Sequence, residues 1–171
     1  MKKISILLLV SCCFLSGCGT LRTTNNISNE STGQNSSVTF TDSLGYSVTI
    51  DHPKNVAVLS GSLADAWILA GGELSSTTED AWTNDALTLP KNVPSLGSIA
   101  APNMEQIISL DTDFAILSSN ISGQVNIRKQ LEQVGITTSY FDVETFEDYS
   151  GMMKTFTNIT QAFAVTDDIA E

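Results

Sequence analysis

An α/β layer fold with a mainly parallel sheet is what this sequence predicts, and three features predict it. Apolar runs of strand length stand at residues 56–59 and 114–117, and a further strand reads over 136–141. Between them lie stretches whose apolar residues repeat at helical spacing. The links are short and carry Gly, Asn, Asp and Pro, so strands and helices alternate closely enough to stack as layers.

Taken in order, the first element is a hairpin. Two β-rich runs, residues 38–41 and 46–50, flank Asp42, Ser43, Leu44 and Gly45, and Pro53 closes the unit. Residues 56–59 follow as a strand buried on both faces. Ser62 is a candidate cap for the next helix, in which Leu63, Ala66, Trp67 and Ala70 share one face, so Trp67 reads as core. Gly71 and Gly72 end that helix. Residues 74–77 form a weak strand. Residues 79–95 read as a long loop holding Trp82, Pro90 and Pro94, and Leu96 closes a brief extended piece before Gly97 and Ser98.

The second half continues the alternation. Asn103 is a good N-cap, Gln106 stands at the capping-box position, and Met104, Ile107 and Ile108 point to the core. Asp111, Thr112 and Asp113 break this helix before the strand at 114–117. One helix is expected over 123–134, with Ile127, Leu131 and Val134 inward and Gly135 as its stop. After the strand at 136–141, Thr145 and Asp148 open a helix whose stripe is Phe146, Tyr149, Met153 and Phe156. Thr166 reads as the cap of one more helix.

The residues ahead of the fold read differently. Lys2 and Lys3 precede an apolar run at 4–14, too short to span a bilayer, and Leu15-Ser16-Gly17-Cys18 fits a bacterial lipobox. The expectation is a lipoprotein signal over 1–17, a lipid on Cys18, and a membrane-anchored chain on the extracytoplasmic face. Cys12 and Cys13 would leave with the signal, so no thiol or disulfide chemistry is expected of the fold. Residues 18–37, rich in Ser, Thr and Asn, read as a flexible tether, and 38–171 as the globular lobe.

The formal charge of −11 repels phosphate backbones, which sets nucleic acid aside as a partner. No Gly-rich nucleotide loop and no nucleophile elbow is present, so the chain reads as a non-enzyme. His52, the one histidine, lies in the turn after the hairpin. Without a second histidine or a folded cysteine no metal site or cofactor is expected. Glu79, Asp80 and Asp85 share a loop and read as solvated charges.

The motifs in order carry a resemblance. T-D-x-L-G-x-x-V-T-I from Thr41, V-x-x-L-S-x-S-L-A-D from Val56, L-G-S from Leu96, P-N-x-E-x-I-I-x-L-x-x-D from Pro102, L-x-x-x-G-I from Leu131 and T-F-E-D from Thr145 together resemble the iron-complex and vitamin B12 binding proteins of ABC importers. The resemblance implies a Rossmann-like three-layer lobe, the first of two lobes joined by a long helix. It implies a ferric siderophore, haem or cobalamin held between the lobes, and docking of the loaded receptor on a permease. Family members continue through the linking helix and a second lobe, so residues 38–171 are expected to supply the N-terminal lobe alone. The acid of the P-N-x-E element meets permease arginines in that family, which assigns docking to Glu105; the other reading is that Glu105 only favours the positive end of its helix.

Ligands of open α/β sheets lie beyond the carboxyl ends of the strands. That rule selects Ser60, Gly61, Ser62, Trp82, Ser98 and Asn120 as ligand-binding candidates. Two readings stand for several of them. Ser62 caps its helix or, with the free N–H groups ahead of Leu63, receives an anionic or carbonyl group of the ligand; Trp82 covers a planar ligand or anchors its loop; Asn120 orients a ligand or closes its turn. A surface adhesin or sensor that reuses the lobe, or a non-functional truncated fragment, is the alternative to a transport receptor.

Overall fold

Four parallel strands form the central sheet in the computed structural model, which describes residues 37–83 and 87–167. The expected signal, Cys18, all of the expected tether but Ser37, and Asp85 lie outside the described residues. The order across the sheet is β4 (Ser76–Thr77), β3 (Val56–Val58), β7 (Phe114–Ser118) and β8 (Thr137–Phe141), every neighbouring pair parallel. Ahead of it, β1 (Val38–Thr41) and β2 (Ser47–Ile50) pair antiparallel as the expected hairpin. A smaller hairpin of β5 (Gly97–Ser98) and β6 (Ala101–Pro102) stands where the sequence showed only a brief extended piece. It continues the sheet beyond β4, because Ser95 bridges Thr77 in parallel.

Side chains alternate across the strands, and the two faces carry two separate cores. Val56, Val58, Phe114 and Ile116 face α1 (Gly61–Leu69) and α5 (Phe146–Asp167). On that side Phe156 meets Trp67 at 5.3 Å and Phe141 at 4.8 Å between ring centroids, both edge-on. The Trp67 indole N–H, buried with the ring, donates to the Glu73 carbonyl at 2.8 Å. Ala57, Leu59, Ala115, Leu117 and Tyr140 face the opposite layer, with Ile107 of α2 (Met104–Ser109) and Leu131 of α4 (Arg128–Gln133). Between these two helices α3 (Ser122–Asn126) covers the end of β7. The result is the three-layer lobe the sequence predicts, each large core side chain contributing roughly 1.5–3 kcal/mol by leaving water.

Buried Asp42 fixes the hairpin to this body. Its Oδ1 accepts the N–H groups of Leu44 and Tyr46, closing the turn with Gly45 at φ +84. Its Oδ2 accepts the Tyr140 N–H at 3.3 Å and lies 3.4 Å from the Arg128 guanidinium. Arg128 also bonds Glu132 and stacks over the Tyr46 ring, 3.4 Å from its centroid.

Several expectations are corrected. The helix expected over 123–134 is two helices that break at Ile127. Tyr140 donates its hydroxyl to the Gln124 carbonyl at 2.9 Å, occupying an acceptor that a continuous helix would use one turn further on. Val134 is accordingly exposed, as is Ile108 on α2. The weak strand at 74–77 shortens to β4. The loop that follows opens with a 3-10 turn, Glu79–Thr83. Thr166 caps nothing, since it lies inside α5, where no Gly or Pro interrupts the helix after Gly151. The buried stripe of α5 is Met152, Phe156 and Ile159, and Phe146 is 84% exposed. Thr145 and Asp148 do form the capping box: the Asp148 carboxylate accepts the Thr145 N–H at 2.8 Å, and the Thr145 hydroxyl accepts the Asp148 N–H at 3.2 Å.

Candidate functional site

The carboxyl ends of the parallel strands all deliver their loops to one edge of the sheet. Ser60 follows β3, the 3-10 turn follows β4, Asn120 follows β7 and Val143 follows β8. The β5–β6 turn joins them through Gln124. This fully buried side chain donates to the Leu59 carbonyl at 2.6 Å and the Ile99 carbonyl at 2.9 Å, and accepts the Ser118 N–H at 2.8 Å. One amide thus ties three loops. Gly123 permits it, because a Cβ there would run into the Ala100 carbonyl oxygen.

A second tie holds the 3-10 turn. Asp80 accepts the Gly61 N–H at 2.6 Å and the Thr78 hydroxyl at 2.6 Å. The carboxylate so placed satisfies the first amide of α1 and complements its dipole. Asp80 is therefore not the solvated loop charge its neighbourhood in the sequence suggests. Ser62 does not cap α1 either. The N-cap is Ser60, which makes no side-chain cap bond and instead meets the Ser62 hydroxyl at 3.0 Å. A Cβ on Gly61 would press on Ala81 at 2.8 Å, so the turn and the helix start fit only around glycine.

A cavity of about 430 Å³ opens on the other half of this edge, between the first turns of α1 and α5. Ser62 and Asp65 line it from α1, Ser118 and Asn120 from the end of β7, and Val143 and Tyr149 from the approach to α5 and its first turns. Leu63, Phe141 and Met152 make it apolar below. The size lies within the range of small-ligand clefts, with a few polar groups over an apolar floor.

Of the predicted site residues, the structure brings Ser62 and Asn120 into this cavity. Asn120 donates from its side-chain amide to the Asp142 carboxylate at 2.5 Å. Ser60 is buried and Gly61 is engaged by Asp80, so neither lines the cavity. Ser98 is exposed and accepts the Ala100 N–H at 3.3 Å, further along the edge. Trp82 is 49% exposed on the 3-10 turn, also outside the cavity lining. Glu105 is exposed in the first turn of α2, behind Asn103, whose side chain accepts the Gln106 N–H at 3.1 Å as the sequence predicts. Sequence reasoning missed Asp65, Val143 and Tyr149 as lining residues, and Gln124 as the tie. The pair Gly123-Gln124, a close-packing glycine before a polar residue, was the one available signal for the last.

Burial pushes the Tyr140 hydroxyl up to about 12, with nearby Arg128 acting the other way. His52 stands with Asp51 at 2.7 Å in the turn after β2. Among the described residues no group of three or more His, Cys, Asp or Glu is placed to hold a metal ion.

No family model and no curated protein matches the chain. Solved structures do. The catecholate-siderophore binding protein VctP from Vibrio cholerae superposes with a TM-score of 0.56 at 20% identity, over 78% of this chain and 48% of that one. Staphylococcus aureus SirA, solved with staphyloferrin B, gives 0.58 at 21% identity, over 74% and 44%. The haem-binding protein HmuT gives 0.60 at 16% identity, over 74% and 40%. The chain therefore shares the fold of these binding proteins across the part it covers, and it spans about half or less of their length.

Proposed function

We propose that this chain is the first lobe of a solute receptor for an ABC importer, held by a lipid on Cys18 at the extracytoplasmic face of the cell membrane. Its ligand is an iron complex, either siderophore or haem, or a cobalamin. The observation that carries the reading is the cavity at the carboxyl edge of the parallel sheet, on a fold shared with proteins solved with a ferric siderophore or with haem. A cleft of this kind binds and releases; the absence of covalent chemistry is part of the proposal.

Titration of the full chain with haem, a panel of ferric siderophores and a cobinamide, read by thermal shift, tests it. A rise in melting temperature with at least one of them is expected, since a ligand that binds only the folded state stabilises it. No shift across the panel would overturn the reading.

Glu105 extends the proposal to docking. An exposed carboxylate in the first turn of α2 meets a permease guanidinium in two hydrogen bonds and sets the receptor's orientation. Glu105→Ala should lower uptake by about tenfold while leaving ligand affinity and stability unchanged. Undisturbed uptake would refute the docking role. Incorporation of labelled palmitate that survives Cys18→Ser would likewise remove the anchor.

A further inference from the structure

The wall of the cavity carries one sign of charge. Asp65 lines it, and the lining Asn120 is bonded to the Asp142 carboxylate. Glu144, Glu147 and Asp148 follow on the approach to α5 and in its first turn. Its other polar lining groups, Ser62, Ser118 and Asn120, are neutral.

The basic residues stand elsewhere. The described residues include Lys54, Lys91, Arg128, Lys129 and Lys154, and none of them lines the cavity. Lys54 lies before β3, at the opposite edge of the sheet, where its N–H donates to Asp113. Arg128 is committed to Asp42, Glu132 and the Tyr46 ring. An anionic ligand seated here therefore touches a carboxylate and finds no cation on this wall to offset it.

The same wall offers apolar surface to a ligand's periphery. Val143 and Tyr149 are each more than a third exposed at the cavity, and Phe146, one turn before Tyr149 on α5, is almost wholly exposed. Phe146 does not line the cavity itself, but an outward ring one turn from the lining Tyr149 adds apolar surface that a ligand edge can meet.

Resting on the receptor reading above, we infer that the ligand of this cavity is a metal chelate of zero or positive net charge with an apolar periphery, of the ferric hydroxamate or corrinoid kind, and not an anionic catecholate or carboxylate complex. The acids around the cavity also raise the local concentration of a cationic chelate, an attraction that salt screens with a length of about 8 Å at physiological ionic strength.

The test uses the full chain and three probes of matched size: ferrioxamine B, a cationic ferric trihydroxamate; ferrichrome, a neutral one; and a ferric tris-catecholate, strongly anionic. Binding is read by equilibrium dialysis from the chelate's own absorbance. The hydroxamates should bind at least about tenfold more tightly than the catecholate, and added salt should narrow that gap. Asp65→Asn should weaken ferrioxamine B by about threefold or more relative to ferrichrome, with an unaltered melting temperature showing that the fold is intact. A catecholate bound as tightly as the hydroxamates, or a cationic chelate indifferent to Asp65→Asn, overturns the charge assignment and leaves the receptor reading standing. No binding by any of the three or by a cobinamide overturns the charge assignment, and the receptor reading falls with it only where haem also gives no thermal shift.

Discussion

The two halves of the carboxyl edge differ in how their loops are held. On the β3–β4 side, side chains reach across loops that are distant in sequence: Asp80 to Gly61, and Gln124 to Leu59 and Ile99, beside a backbone bond from the Leu96 N–H to the Thr77 carbonyl at 2.7 Å. On the β7–β8 side the ties beyond Ser118 join the ends of those two strands, Ser119 to the Phe141 carbonyl and Asn120 to Asp142, and the surface opens into the cavity lined by Val143 and Tyr149. The contrast teaches where a binding surface can be left unfinished. A cleft needs walls that do not collapse, and the neighbouring half supplies the rigidity by satisfying its own backbone groups internally.

Gln124 is the strongest way to break that contrast. Gln124→Leu keeps a similar volume but leaves the Ser118 N–H and the Leu59 and Ile99 carbonyls without their partner. Each orphaned buried group costs about 1–3 kcal/mol, so a loss of about 3 kcal/mol in chemical denaturation is expected. A loss under about 1 kcal/mol would show that the stitch is replaceable and that the two halves are not distinct in this respect. Asp80→Ala is the smaller test on the same half. It removes a helix cap and the lock on the 3-10 turn, for about 1 kcal/mol. It should also shift the emission of Trp82, which rides on that turn, to the red; unchanged emission would mean that other contacts hold the turn.

The stitched half is also the half that was hard to read. The strands and the three layers were legible because Val56, Val58, Phe114 and Ile116 alternate with Ala57, Leu59, Ala115 and Leu117, a pattern visible within a few residues. The fold rule also selected Ser62 and Asn120, and both line the cavity at that edge. What escaped were decisions made by distant partners. The break at Ile127 depends on the Tyr140 hydroxyl, 16 residues from the carbonyl it bonds, while Ile127, Leu131 and Val134 locally continue a helical stripe. Asp80 looks no different in sequence from Glu79 beside it, and only the approach of α1 makes it a cap. Phe146 fell into a helical stripe by spacing, yet the capping box turns the first residue of α5 outward and moves the buried stripe to Met152.

The capping box offers the finest probe of the open half, through pH. The hydrogen bonds from the Thr145 hydroxyl and N–H, joined by the Glu144 N–H, hold the Asp148 carboxyl below its usual value of 3.8. A carboxylate depressed in the folded state adds stability above its unfolded pKa, and that contribution is lost as pH falls through the lower folded value. The first turn of α5 should therefore fray in acid, below about pH 4, ahead of the core. Amide exchange at residues 148–150 reports this directly: protection should drop with pH in the native chain and start lower, with less change, in Asp148→Asn. Equal pH dependence in the two proteins would mean that the box does not hold this turn, and that Phe146 and Tyr149 owe their outward placement to the helix packing beyond Met152 instead.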